Sequence, residues 1–391
     1  METDALYAAL VAFAAAAVLT PVIARMARRV GAVDEVKARG LAREATPLLG
    51  GIAIFAGTLI AALIFMPDDE RTRGILIAAA LITLVGAWDD VADLPPGAKL
   101  VGQVVAALVL VNAGVVVENI TFPFLGALDF EDVGGPLTVL GLVAVMNVVN
   151  FSDGVDGLAA GVCAISAVAF AIIAFDLGRD AAGVLAAITA GAALGFLIHN
   201  FHPASVFMGD CGSNLLGLLL GAVIVEGSLK TNALIALVVP LVVLAVPFLD
   251  TGFVVMKRIK YRRPVYRGDS NHFHHRFHRI GFSQRRTVLY LYAWTITMAG
   301  LAVALRFIPY SDDTGNLNPG WTAAIAACFI VALAASAYLV YVLEILKLRR
   351  LRAWQMRRTD PDTTEHEIDE TVRRDIETGE FSAVSGSNPY G

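Results

Sequence analysis

Apolar residues recur along the chain in blocks roughly 17–25 residues long, the length at which one helix spans a hydrocarbon core of ~30 Å. Eleven blocks are legible: residues 5–24, 48–66, 74–88, 99–117, 135–149, 157–174, 181–198, 213–229, 232–256, 287–308 and 320–343. Each predicts a helix, the third and fifth being short for straight crossings. Small residues recur within them, as in the alanine runs and at Gly191, Gly195, Gly217 and Gly221. Such residues let helix backbones approach closely in lipid. The pattern predicts an all-α, polytopic integral membrane protein with about eleven transmembrane helices. The first block does not read as a cleavable leader, because its basic residues Arg25, Arg28 and Arg29 follow the apolar core instead of preceding it.

Charge placement sets the orientation. Of 30 lysines and arginines, an outside N-terminus leaves only Arg71, Arg73, Arg179, Lys230 and Arg306 outside. The positive-inside rule therefore predicts an outside N-terminus and a cytoplasmic C-terminus. Residues 1–346 then form a transmembrane catalytic domain with cytoplasmic loops at 25–47, 89–98, 150–156, 199–212 and 257–286. Residues 347–391 form a cytoplasmic tail. It begins with the basic, aromatic "LKLRRLRAWQMRR", suited to anionic headgroups, and turns acidic and polar, the composition of a disordered segment.

Composition agrees with the pattern. The 391 residues are 57% hydrophobic and 17% charged, where a soluble domain carries about a quarter charged residues. The mean hydropathy is +0.67. The net charge of −5 is segregated along the chain and points to no nucleic-acid partner. Cys163, Cys211 and Cys328 match no zinc or disulfide spacing and read as small buried residues.

Four unusual stretches fall on the cytoplasmic side: "GAWDDVADLPPGAKL", "NVVNFSDGVDG", "FMGDCGSN" and "GDSNHFHHRFH". Acids at a membrane boundary are costly enough to need a reason. Asp89 and Asp90 are adjacent where a span ends. Asp153 and Asp156 are spaced i, i+3, which a helical turn would place on one face, and Gly154 and Gly157 let backbone approach a ligand. Asp210 lies between glycines ahead of the eighth span. A helix start with free N–H groups favours phosphate, and flanking carboxylates suit Mg²⁺, which is usually held by one or two acids plus substrate phosphates. His272, His274 and His275 share a loop with Arg262, Arg263, Arg267, Arg276 and Arg279. Imidazoles among arginines suit a diphosphate or lipid phosphate. Zinc is the rival reading, opposed by the cationic surroundings and the lack of a neighbouring cysteine. His199, His202 and His278 lack such company and read as boundary or packing residues.

These motifs resemble the polyprenyl-phosphate N-acetylhexosamine-1-phosphate transferase family. The resemblance rests on "TPLLGG" (46–51), DD-xxx-L-x-P-xx-K (89–99), N-xx-N-xx-DG-x-DGLA (147–159), "FMGDCGS" (207–213) and H-x-HHR (272–276), five motifs in the family's order. It implies transfer of a sugar-1-phosphate from a UDP-sugar to a polyprenyl phosphate at the cytoplasmic face of a bacterial cytoplasmic membrane. UMP is released and Mg²⁺ is needed, with Mn²⁺ a substitute. By this similarity Asp210 ligates the metal with Asn150 a second ligand. Asp89 and Asp90 lie where the lipid phosphate is activated, and Lys99 holds that phosphate. Asn147, Asn150, Asp153 and Asp156 line the nucleotide pocket, with Phe207 beside the uracil. His272, His274, His275 and Arg276 hold the diphosphate. The muramoyl-pentapeptide branch typically carries "PTMGG" and three consecutive histidines. "PLLGG" and "HFHHR" favour the GlcNAc-1-phosphate branch, so UDP-GlcNAc and an undecaprenyl or decaprenyl phosphate are the expected substrates, with a homodimer as a candidate assembly.

Two rivals stand beside this reading. A cation-coupled transporter predicts acids near the bilayer midplane and inverted repeats, whereas these acids cluster at span ends. A binding-only relative would be expected to lack a motif position, and none is lacking.

The charge pattern makes its own prediction. In a background without native cysteines, cysteines placed near Asp129 and Asp313 should react with an impermeant thiol reagent in intact cells, and one near Ser270 should not. The reverse pattern would place the acidic loops outside.

Overall fold

The computed structural model describes residues 2–34, 45–117, 119–122, 126–130, 133–228, 244, 283–307 and 318–341, and in the tail residues 353, 356–357, 360 and 363–378. The chain is mainly helical: α1 (Glu2–Val30), α2 (Gly50–Phe65), α3 (Glu70–Ala92), α4 (Pro96–Asn112), α5 (Gly134–Ser152), α6 (Leu158–Asp176), α7 (Asp180–Asn200), α8 (Gly209–Ser228), α9 (Gln284–Phe307), α10 (Pro319–Tyr341) and α11 (Glu365–Thr378). Two short antiparallel ribbons interrupt the all-helical expectation. In one, β1 (Val33–Asp34) pairs with β2 (Thr46–Pro47), and in the other, β3 (Asn119–Phe122) pairs with β4 (Gly126–Asp129). Two compact units result, one of Met1–Thr251 with Leu291–Ile308, the other of Gly252–Tyr290 with Pro309–Gly391.

Seven of the described helices, α1, α3 and α5 to α9, are long and apolar enough to cross a membrane, while α2, α4 and the first part of α10 are apolar but shorter. The chain is a multi-pass membrane protein. The predicted span 232–256 lies outside the described residues except for Leu244. The core of the first unit is α6, α7 and α8, whose apolar windows are 72%, 72% and 78% buried, against 22% for α1. Helix α7 packs on α1 and α6, and α8 takes α3 and α5 on its flanks.

Small residues make these contacts possible, as the glycine pattern predicted. Helix α1 turns Ala5, Ala8, Ala12 and Ala16, each at most 4% exposed, toward its neighbours, one small residue per turn. A Cβ at Gly191 or Gly195 of α7 would overlap the backbone of Ala9 or Phe13 in α1. Gly86 of α3 and Gly51 of α2 sit equally close to the backbone of Cys211 and Gly212, where α8 begins. Cys163 and Cys211 are buried as expected. Cys328 is exposed on α10, on a helix whose described side chains are mostly uncovered by protein.

Helix ends run past the apolar blocks. Helix α3 continues to Ala92, α5 to Ser152, and α8 starts at Gly209. Hydropathy stops at the first charge, but helical hydrogen bonding continues through it. Asp89, Asp90 and Asn150 therefore sit on rigid helical turns and not in loops.

Lipid offers the backbone no hydrogen bonds, so each must be met by protein. Pro21 inside α1 has no N–H, which orphans the carbonyl four residues earlier. That carbonyl, Ala17 O, lies 2.9 Å from His199 Nε2 of α7. Nε2 therefore carries the hydrogen, and the packing role predicted for His199 has a specific content. His199→Ala should lower stability by about 1–3 kcal/mol, the cost of an unpaired buried polar group, and His199→Gln should restore part of it. Thermal unfolding of the purified protein in detergent checks this, and an unchanged midpoint in His199→Ala would refute it.

Candidate active site

The site is built around the first turn of α8. Phe207 and Met208 lead into it outside any helix or strand, and Gly209 turns the chain with φ +71°, a conformation glycine adopts freely. The first amides of a helix have no carbonyl partners of their own. Asp90, near the end of α3, supplies them: Oδ1 accepts from Asp210 N at 2.7 Å and Oδ2 from Cys211 N at 3.2 Å. A Cβ at Gly209 would collide with that carboxylate. Asp90 thus caps α8 from another helix, a charge placed where the helix dipole favours it.

Asp89 takes a different task. It is 8% exposed; Oδ1 accepts from Leu94 N at 2.7 Å, and Oδ2 pairs with Lys99 Nζ. Lys99, in the first turn of α4, also reaches Asp210 Oδ2 at 2.9 Å. One ammonium is therefore shared by two carboxylates from different helices. Asn150 joins them through its Oδ1, 3.0 Å from Ser213 Oγ. The same hydroxyl lies 3.1 Å from Gly209 O. It has one hydrogen to donate, so it can turn to Gly209 and release the Asn150 oxygen.

"TPLLGG" supports this turn from below. Phe207 N donates to Pro47 O at 2.9 Å, Gly50 N to Phe207 O at 3.1 Å, and Gly51 N to Met208 O at 2.9 Å. Turning both glycine amides that way puts Leu49 at φ +70°, an uncommon conformation for a bulky side chain. Leu49 is held there in a buried cluster with Ala27, Ala32 and Cys211.

The acidic loop departs from the helical turn expected for it. Asp153 ends α5, its N–H bonding to Asn150 O at 3.1 Å, and the chain bends before α6, so the two acids do not share a helix face. Asp156 Oδ2 lies 2.7 Å from His202 Nδ1 and accepts from Ala204 N at 3.1 Å. Gly157 N donates to Asn200 Oδ1 at 3.0 Å, and Gly157 O accepts from the Tyr292 hydroxyl. Burial foremost, then the charges of Asp210, Asp90 and Asp156, push the Asp153 carboxyl up to about 8. A neutral carboxyl both donates and accepts, and can face a diphosphate without charge repulsion.

Asp89, Asp90, Lys99, Asn150 and Asp210 thus come together, with Phe207 immediately before them in the chain. Asn147 joins through Gln103, Asp153 lies at the edge, and Asp156 is tied to the 200–204 segment. His272, His274, His275 and Arg276 lie outside the described residues. His202, Asn200, Gln103 and Tyr292 were missed from sequence. Gln103 had a signal, a lone amide in an apolar helix. His202 lacks basic neighbours in the sequence, and its partner in the fold is an acid, Asp156.

Among the described residues no three His, Cys, Asp or Glu side chains gather as a metal cage. Magnesium does not need one, since it commonly takes one or two carboxylates and leaves the rest to water and phosphate. Asp89 and Asp210 already converge on a cation, the Lys99 ammonium, so the donor set fits a divalent ion.

The family described as Glycosyl transferase family 4 matches residues 72–228. A probable undecaprenyl-phosphate N-acetylglucosaminyl 1-phosphate transferase of Bacillus subtilis (strain 168) is 34% identical over 291 residues, 74% of this chain and 81% of the relative. A decaprenyl-phosphate N-acetylglucosaminephosphotransferase of Mycolicibacterium smegmatis (strain ATCC 700084 / mc(2)155) is 36% identical over 337 residues, 78% and 81% of the two chains. A phospho-N-acetylmuramoyl-pentapeptide-transferase of Moorella thermoacetica (strain ATCC 39073 / JCM 9320) is 35% identical over 305 residues, 72% and 92%.

The raised Asp153 carboxyl has a stability consequence. Between about pH 4 and pH 8 the folded protein holds a proton there that the unfolded chain has lost, so stability falls as pH rises through that window and levels off above it. Asp153→Asn removes the titration. Its unfolding midpoint relative to wild type should climb from pH 5 to pH 8 and then plateau; a difference independent of pH would refute the assignment.

Proposed function

The chain belongs to glycosyl transferase family 4, and on that premise we propose that it transfers GlcNAc-1-phosphate from UDP-GlcNAc to a polyprenyl phosphate. The observation that supports this most is the Lys99 ammonium held between Asp89 and Asp210 at the start of α8. In the proposed reaction an oxygen of the lipid phosphate attacks the phosphorus that bears the sugar, and the bond to UMP breaks as UMP leaves with the electron pair. Such a transfer asks the protein chiefly for alignment and charge neutralisation.

Each residue then has a task. Lys99 exchanges its carboxylate partners for the incoming lipid phosphate, which leaves Asp89 and Asp210 facing the reacting groups. Asp90 keeps the first turn of α8 in place, acting through the backbone instead of on the lipid phosphate. Asp153, with Asn147 and Asp156, lines the nucleotide side, and Phe207 lies against the base. Asp210 with Asn150 or Asp89 would hold Mg²⁺, or Mn²⁺ in its place, which when bound neutralises the diphosphate and orients its oxygens. His272, His274, His275 and Arg276 complete the diphosphate contacts in this proposal.

The same reading gives about eleven spans in a bacterial cytoplasmic membrane, an outside N-terminus and a cytoplasmic site, with a homodimer as a candidate assembly. A cytoplasmic site meets UDP-sugars where they are made, and a site at the bilayer edge keeps the polyprenyl tail in lipid. "PLLGG" and "HFHHR" support GlcNAc over the muramoyl-pentapeptide donor, which stays the alternative because that branch matches at similar identity.

Purified protein given UDP-GlcNAc, polyprenyl phosphate and Mg²⁺ should release UMP in step with lipid-linked product. UMP release only from UDP-MurNAc-pentapeptide would transfer the assignment to the alternative, and none from either would end it. Asp210→Asn should fold normally and lose at least ~10²-fold in rate, the scale of one positioned catalytic group. Near-normal turnover at saturating Mg²⁺ would remove Asp210 from the metal.

A further inference from the structure

Three amide side chains from three helices join beneath the site. Asn147 of α5 donates from Nδ2 to Gln103 Oε1 of α4 at 2.8 Å, and Gln103 donates from Nε2 to Asn214 Oδ1 of α8 at 2.7 Å. Asn214 then donates from Nδ2 to the backbone carbonyl of Asp210 at 2.8 Å. Gln103 is 4% exposed and Asn214 5%. The chain of bonds runs in one direction, and its ends dictate which. Asn147 Nδ2 also donates to Val143 O at 2.8 Å, so both ends meet backbone carbonyls, which only accept. Turning over any one amide would set oxygen against oxygen at one end, which removes the usual ambiguity between amide nitrogen and oxygen.

The consequence falls on Asn147. Both hydrogens of its amide are committed to Gln103 and Val143, so the only group it has left for a ligand is its carbonyl oxygen, an acceptor. A lipid phosphate, mostly doubly ionised near neutral pH, has at most one hydrogen to give such an oxygen and mostly none. A nucleotide sugar has several, on its base, its hydroxyls and its acetamido group. We infer that Gln103 is a positioning residue: by holding the Asn147 amide it makes Asn147 a pure acceptor for an N–H or O–H of the nucleotide-sugar donor. This rests on the transferase reading above and adds a residue to it.

Gln103→Met keeps the length and volume and removes both polar groups. It should raise the KM for UDP-GlcNAc by about tenfold or more, the scale of one uncompensated buried amide, and leave the KM for polyprenyl phosphate unchanged. Gln103→Glu in its neutral form still accepts from Asn147 and donates to Asn214, and should keep the donor KM within about threefold of wild type. In an Asn147→Ala background the Gln103→Met change should add less than about threefold, because contacting residues couple while independent ones add. A general packing role would instead give the same effect in both backgrounds. If Gln103→Met does not fold, Gln103→Ser, too short to reach Asn147, replaces it. A wild-type donor KM in Gln103→Met, an equal rise in Gln103→Glu, or additivity with Asn147→Ala would overturn the inference. Failure of the wild type to release UMP would instead overturn the transferase reading.

Discussion

The contact between the Asp90 carboxylate and the amides of Asp210 and Cys211 in the first turn of α8 is where the structure of the site begins. A helix that starts at a membrane boundary must find partners for its leading N–H groups, and here they come from α3 instead of from the local chain. This ties the end of α3 to the start of α8 and requires Gly209 to have no side chain. With α8 pinned, Asp210 falls within reach of Lys99, and Ser213 within reach of Asn150. Phe207 and Met208 before it are held in turn by the backbone of 47–51.

The same demand for internal hydrogen bonding explains polar groups away from the site. Pro21 breaks the ladder of α1 and His199 answers it across the α1–α7 contact. Asn147, Gln103 and Asn214 answer one another between α5, α4 and α8. Isolated polar groups in an apolar bundle are expensive. Each residue here is met by a partner on another helix, and each such pair also fixes where two helices meet.

Two neighbouring aspartates can therefore have unlike environments. Asp89 is an ion-pair partner, whereas Asp90 accepts from the backbone amides of Asp210 and Cys211. Asp153 is driven toward its neutral form by burial and like charges, while Asp156 is engaged by His202 and Ala204. A site that handles several phosphate charges gains from this division, because carboxylates all equally free to ionise would repel one another and the ligand.

Much of this was legible from order and composition. Apolar blocks of membrane length, glycines at close helix contacts and five motifs in series depend only on which residue stands where, and helix formation in lipid follows directly from a long apolar run. The sequence alone thus determined the class of protein, most of its helices and the identity of Asp89, Asp90, Lys99, Asn150 and Asp210 as candidates. It did not determine what each one touches. That Asp90 caps a helix 120 residues away in the chain, that Asp156 chooses His202, or that Gln103 orients Asn147 depends on which helix ends lie side by side. Periodicity tells which face of a helix is apolar, but not which neighbour covers it. Only packing in three dimensions brings a carboxylate to within 3 Å of one donor and not another, because hydrogen bonds are short-ranged and directional.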